Sequence, residues 1–268
     1  MTQAPRRMPE GRLFDILLPI VAFLAAMGAW EAACRLQGIP SYLLPTPSVI
    51  AMTLVKDWWT LSGSLWVTLK ITFSALFAAI VGGVGLAILF AQSRLIERSF
   101  FPFAVIMQVT PIIAIAPLLI VYLEPHVAVL VCAFIVAFFP ILSNTTMGLA
   151  SAEHNLVDLF DLYGASRWQQ LIRLRLPAAL PYFLGGLRIA GGLALIGAVV
   201  AEIAAGTAGQ GSGLASRIIE SSVRQNFPRM FAALVLISVT GVLIFIFFTV
   251  LSHLLLRRWH DSVRQREL

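Results

Sequence analysis

Long charge-free apolar runs alternate with short polar breaks along almost the whole chain. Six of these runs are long enough to cross a hydrocarbon core of about 30 Å as helices rising about 1.5 Å per residue: 13–34, 64–91, 100–123, 127–150, 182–205 and 230–256. The first is the weakest, because Asp15 and Glu31 shorten its uncharged centre, and both carboxylates are expected at the interfaces. Lys70 interrupts the second run, and Arg188 and Glu202 interrupt the fifth. Only "EPH" joins the third and fourth, which predicts a tight helical hairpin, and Pro102, Pro111, Pro117 and Pro140 are expected to kink that pair. The pattern predicts an all-α membrane protein of six transmembrane helices, with no room for a sizeable soluble domain.

The polar break between the fourth and fifth runs is different in kind. In "LFDLYGASRWQQLIRLRLPAALP", residues 159–181, Leu159, Phe160 and Tyr163 continue a stripe begun at Leu156, while Asp158 and Asp161 lie off it. That spacing makes a short amphipathic helix, and Gly164 supplies its stop. Ser166 followed by Gln169 is a capping-box pattern that starts a second helix, with Trp168, Leu171 and Ile172 on one face and Arg173 beside them. Pro177 is expected to end it and Pro181 to begin the fifth span. Such a pair of helices buries its apolar faces either in the lipid interface or against a partner.

Composition agrees with a membrane chain: 59% hydrophobic and 12% charged residues against about 25% charged in soluble domains, with a mean hydropathy of +0.89. The net charge of +6 follows topology rather than nucleic acid, since the basic residues sit at the ends of apolar runs without interleaved aromatics. With the N-terminus in the cytoplasm, twelve basic residues fall inside and five outside, as the positive-inside rule requires. The expected division is a cytoplasmic tail 1–12, a transmembrane domain 13–256 with a cytoplasmic loop at about 151–181, and a basic cytoplasmic tail 257–268. The N-terminal stretch has the basic start and apolar core of a secretory signal, but five further runs make it an uncleaved first span. Trp58 and Trp59 suit an outer aromatic belt.

Candidate chemistry is sparse. Cys34 and Cys132 lie in separate spans and read as packing residues, with no metal-ligand spacing. His126, His154, His253 and His260 are isolated, "GQGSGL" is not a nucleophile elbow, and neither lysine, Lys56 or Lys70, follows a glycine as a phosphate-cradling loop requires. No catalytic site is expected, and any ATP hydrolysis must reside on another chain. Depths within the spans allow Lys70 to pair with Glu202, or each to snorkel to the interface separately. Arg188 can likewise line a pore or snorkel. Gly191, Ala194, Ala198, Ala201 and Ala205 form a seam of small side chains on the fifth span, against either the core of the subunit or a dimer interface along which solute passes.

"DLFDLYGASRWQQLIRLRLPAALP" resembles the EAA loop of ABC importer permeases. Gly164, Leu176 and Pro177 match that pattern at its spacing, Leu174 stands for its Ile, and Asp158, Leu159 and Phe160 replace Glu-Ala-Ala. "LLPTPSVI", "PIIAIAPLLIVYL", "PYFLGGLRIAGGLALIGAVVAE" and "GTAGQGSGLASRI" extend the resemblance over residues 40 to 256, to the nitrate, sulfonate and taurine group. The resemblance implies a type I importer permease fold in a bacterial inner membrane. It implies a homodimer of permease subunits, two cytoplasmic ATPase subunits that hold ATP and Mg, and an extracytoplasmic solute-binding protein. Asp158, Leu159, Phe160, Tyr163, Gly164, Ala165, Ser166, Leu176 and Pro177 would then couple to the ATPase. The glycine-rich outer loop opening at Gly206, Gly209, Gly211 and Gly213 would face the binding protein, with Arg217, Arg224 and Arg229 placed to meet its acidic groups. Nitrate, sulfonates, taurine and neutral heterocycles such as vitamin precursors all fall within the implied substrates. A stand-alone channel or an ion-coupled carrier is the alternative, disfavoured by the absence of a clear internal repeat and the scarcity of intramembrane carboxylates.

Overall fold

The computed structural model describes residues 11–206 and 212–257, with side chains from residue 17 onward; the two tails beyond these limits, and Gly209 and Gly211, lie outside the described residues. Among the described residues every regular element is helical: α1 (Gly11–Leu36), α2 (Pro47–Lys56), α3 (Trp58–Gln92), α4 (Arg94–Val109), α5 (Ile112–Tyr122), α6 (Pro125–Ala150), α7 (His154–Leu162), α8 (Arg167–Gln170), α9 (Leu176–Ala205), α10 (Leu214–Val223) and α11 (Phe227–Leu256). Five predicted spans lie within α1, α3, α6, α9 and α11, each long and apolar enough to cross a membrane. Phe77, Leu118, Val242 and Phe247 expose more than half of their surface, as side chains that face lipid do.

The third predicted span departs from a single crossing. Residues 100–123 divide between α4 and α5, which meet at 98°. The break falls at Thr110–Pro111. Pro111 has no N–H to continue the ladder, and its ring drives Thr110 to an extended conformation (φ −67°, ψ 124°). Pro102, Pro117 and Pro140 remain inside α4, α5 and α6.

α6 and α9 form the centre as an antiparallel pair, with α3 packed across α6. Lipid offers no hydrophobic drive between helices, so close backbone approach must supply the attraction. A Cβ on Gly148 would lie 2.8 Å from the Ala179 Cα, on Gly186 2.8 Å from the Pro140 carbonyl oxygen, and on Gly197 2.9 Å from the Ala133 Cα. The seam read from the sequence takes a second set of neighbours. Gly191 accommodates Phe248 and Ile244 of α11, and Ala198 and Ala201 are fully buried with Ala75, Ala116, Val129 and Cys132. These contacts of the seam all lie within one chain.

α1 stands at the periphery. It is held by Trp30 against Phe231 (ring centroids 6.2 Å apart), by buried Cys34, and by Glu31. The Glu31 carboxylate accepts from the Ser48 amide (3.0 Å) and hydroxyl (2.7 Å) at the start of α2, and from the guanidinium of Arg35.

Candidate functional site

The segment between α6 and α9 is built as two helices locked around one glycine. α7 ends in a Schellman turn: the Ala165 amide donates to the Phe160 carbonyl (2.9 Å) and the Gly164 amide to the Asp161 carbonyl (3.0 Å). Gly164 has φ +66°, and a Cβ there would meet no atom within 4 Å, so conformation rather than space demands glycine. Ser166 and Gln169 form the expected capping box: Gln169 N–H donates to Ser166 Oγ (3.3 Å), and Ser166 N–H to Gln169 Oε1 (2.8 Å).

A bond the sequence pattern did not announce crosses the bend: buried Gln170 donates from Nε2 to Asp161 Oδ1 at 2.5 Å. Neither helix can swing without breaking it. The second helix does not stop at Pro177 as expected. α8 runs through a π turn at Leu171–Arg175 into α9, so that 167–205 is one continuous helix. The wider turn, with the Leu176 amide donating to the Leu171 carbonyl, takes up the place where Pro177 would otherwise clash with the turn before it. Leu171 and Leu174 are driven into the core, and Leu176 and Pro177 are half-buried beside them. Leu171 thus leaves the face shared with Trp168 and Ile172, which stay in solvent.

The opposite surface is apolar and uncovered. α7 buries no residue completely; Leu159, Leu162, Tyr163, Trp168 and Ile172 are all exposed, while Phe160 and Ala165 turn partly inward and Asp158 and Ser166 stay in solvent. A surface joined to the core through Leu171, Leu174 and the Gln170–Asp161 bond can transmit displacement into α9.

At the outer end, Glu202 and Lys70 do not meet. Thr68 and Lys70 are two residues apart, so they leave α3 on nearly opposite sides. Lys70 is exposed with its Nζ 5.5 Å from the Trp66 ring centroid. Glu202 is buried and caps α10. Its Oε1 accepts from the Thr68 hydroxyl (2.9 Å) and its Oε2 from the Ala215 amide (3.0 Å), while the Thr68 oxygen accepts from the Leu214 amide (2.9 Å). A Cβ on Gly213 would fall 2.0 Å from Glu202 Oε1, so that position must lack a side chain. Two transmembrane helices thereby satisfy the first free N–H groups of α10, where a carboxylate is favoured.

The three outer arginines are engaged inside the chain. Arg217 donates to Ser64 Oγ (2.9 Å) and Glu220 (2.7 Å), Arg224 pairs with Glu220 (3.1 Å), and Arg229 with Asp57 (2.7 Å). Of the three, Arg224 alone is largely exposed, at 68% of its side chain. The Arg217 guanidinium, and then the Arg224 and Arg229 charges, hold the Glu220 carboxyl below the usual carboxylate range. Arg188 is half-buried, with its guanidinium 5.9 Å from the Phe245 ring centroid and its Nε without a hydrogen-bond partner among the described residues. Where α4 breaks from α5, a cavity of about 310 Å³ opens between Gln108, Thr110, Pro140 and Leu193, and α5 begins there without a side-chain cap.

Among the described residues the chain is all-helical, with a broken third crossing, a close-packed hairpin core and a two-helix projection between α6 and α9. The chain belongs to the family of binding-protein-dependent transport system inner membrane components, whose pattern matches residues 79–261. It is a permease subunit of an ATP-driven importer and a multi-pass protein of the inner membrane. It is 37% identical over 254 residues to the formylaminopyrimidine transport permease protein ThiX of Halalkalibacterium halodurans, covering 91% of this chain and 97% of that one. The riboflavin transport system permease protein RibX of Chloroflexus aurantiacus is 32% identical over 91% of this chain and 90% of its own. The putative aliphatic sulfonates transport permease protein SsuC of Bacillus subtilis is 30% identical over 96% and 91%. Among solved structures, the MetNI methionine ABC transporter in an inward-facing conformation superposes with a TM-score of 0.65 at 20% identity, over 74% of this chain and 97% of the matched chain.

Proposed function

We propose that two copies of this chain form the translocation path for a small solute handed over by an extracytoplasmic binding protein, and that two separate cytoplasmic ATPase subunits, which carry ATP and Mg, seat on α7, Gly164 and α8. The carrying observation is the exposed apolar surface at Leu159, Leu162, Tyr163 and Trp168, fixed rigidly to the start of a 39-residue helix. Apolar area of that kind on a polar cytoplasmic loop is stabilised by a partner. The test is purification with the products of neighbouring genes. An ATPase that co-purifies with the wild type and is lost with Gly164→Pro, which removes the Gly164 N–H donor and cannot adopt φ +66°, supports the reading. An ATPase retained equally by both, or solute uptake by this chain alone without ATP, overturns it.

The solute follows from similarity more than from geometry. Two relatives above 30% identity are named for formylaminopyrimidine and riboflavin, both heterocycles, and a third, at 33%, is named for no solute. The cavity at the α4–α5 break offers the amide of Gln108 and the hydroxyl of Thr110 and no charged side chain, and Lys70 and Arg188 lie against aromatic rings rather than in that cavity. These features favour a small neutral heterocycle over nitrate, a sulfonate or taurine. Calorimetric screening of the cognate binding protein decides between them; selective binding of an inorganic oxyanion overturns this choice. At the outer face, exposed Arg224 is the arginine best placed for that binding protein, and Arg224→Glu should lower binding-protein-stimulated ATP hydrolysis.

A further inference from the structure

The arginines of the two membrane faces are treated differently. Outside, Arg35, Arg217, Arg224 and Arg229 each pair with a carboxylate within 4 Å. Inside, no such ion pair joins Arg94, Arg98, Arg167 or Arg175 to any carboxylate among the described residues, although all four border one pair of adjoining cavities. The first, of about 650 Å³, has Arg94, Arg98 and Arg175 on its walls. The second, of about 640 Å³, is bounded by Arg94, Arg167 and Arg175 and shares Ala91 and Val157 with the first. Opposing charges are few: Glu97 in the first, and in the second Asp161, whose carboxylate already accepts from Gln170. His154 also lines the first cavity.

Positive-inside topology asks only that basic residues stay in the cytoplasm; it does not ask them to line two adjoining cavities in excess over acidic ones. Bringing guanidinium groups together is unfavourable unless an anion joins them, and a phosphate accepts two parallel N–H bonds from each. The cavity also has an apolar side, with Phe90, Phe101, Pro102 and Leu149 lining it below the arginines. That side is continuous with the transmembrane core, since Phe90 and Leu149 belong to the main buried cluster.

We propose that this cavity, between the start of α4, the end of α6, α7 and the π turn, binds a phosphate-bearing anion at the cytoplasmic surface. The headgroup of an inner-leaflet phospholipid and a soluble phosphate compound share the required chemistry. Because His154 and Val157 of α7 and Arg175 of the π turn line the walls, an occupant bridges the fixed end of α3 and α4 to the segment that carries motion into α9. Occupancy thus braces the coupling loop from its membrane side, on the face opposite the exposed residues proposed to meet the ATPase.

The test uses the full-length chain in nanodiscs containing phosphatidylglycerol or phosphatidylcholine, followed by native mass spectrometry, with inorganic pyrophosphate titrated separately by calorimetry. Retention of phosphatidylglycerol over phosphatidylcholine, lowered at least tenfold by Arg94→Gln, Arg98→Gln and Arg175→Gln together, is expected if the source is lipid. Saturable pyrophosphate binding lost in the same variant, without lipid preference, is expected if the source is soluble. The corresponding triple Lys variant keeps the charge and should keep most of the binding, which separates loss of the site from loss of the fold; Arg35→Gln, on the outer face, should change nothing. Equal retention of both lipids together with no pyrophosphate binding overturns the proposal, as does a triple Gln variant that binds as the wild type does. None of these readouts involves the ATPase, so the proposal and the function above fail separately.

Discussion

Glu202 is conspicuous in the sequence, where depth alone leaves it either paired with Lys70 or snorkelling to the interface. A carboxylate in an apolar run needs a donor, and Lys70 was the nearest cation by depth; the fold instead delivers backbone amides, because α10 folds back onto the ends of α3 and α9. The cap is a closed unit of Thr68, Glu202, Gly213 and the first residues of α10. Glu202→Ala leaves buried donors unmatched and should lower stability by about 1–3 kcal/mol. Gly213→Ala, by displacing the same carboxylate, should cost a similar amount, and the double variant little more than either alone, since both break one network. Thermal unfolding in detergent measures this; strictly additive losses would show that the two positions act independently. Glu220 gives a pH-dependent counterpart. Its carboxyl is held low by Arg217 first, so its contribution is fully present above the unfolded carboxylate pKa, about 4.3, and disappears as pH falls through the lower folded value. The melting temperature of Glu220→Gln should therefore lie below wild type at pH 6 and converge with it as pH falls below about 4; a gap that stays constant with pH would refute the assignment.

Among the elements, the α6–α9 pair carries the packing, and the two short helices between them are the segment proposed to carry motion. The Gln170–Asp161 bond predicts that Gln170→Leu leaves the two short helices formed but no longer tied. Transport per ATP hydrolysed should then fall several-fold while ATPase co-purification persists, a combination that reconstituted vesicles can read; unchanged stoichiometry would show that the bond is dispensable. Ala198 is fully enclosed among small residues of α3, α5 and α6. Ala198→Leu adds volume that no neighbour can yield, at about 1–3 kcal/mol, and should lower both melting temperature and transport. The sequence periodicity located the seam. It missed that Gly186 and Gly197, off that seam, make the closest contacts to α6, since a glycine on either face of an apolar helix gives the same signal until the neighbour is known. The broken third crossing was likewise only half legible: four prolines announced kinks, and the neighbours of each residue decided that Pro111 alone would break the helix through 98°.

For the whole molecule, the expected assembly is two permease chains with two ATPase subunits, and native mass spectrometry of the purified complex should return that stoichiometry; a complex with a single permease chain would contradict it. What the sequence by itself determined is the medium and the plan: helices of crossing length and a glycine-centred polar joint with its capping box, because hydropathy, proline, glycine and capping act through residues a few positions apart. What only the tertiary structure decided is which groups meet: Thr68 and Glu202 on the α10 amides, Arg229 on Asp57, Gln170 across the bend, and four arginines around two adjoining cavities. Charges in a low-dielectric interior are matched by whichever donor the packing brings within hydrogen-bonding reach, and depth along a helix does not specify the direction in which a side chain points.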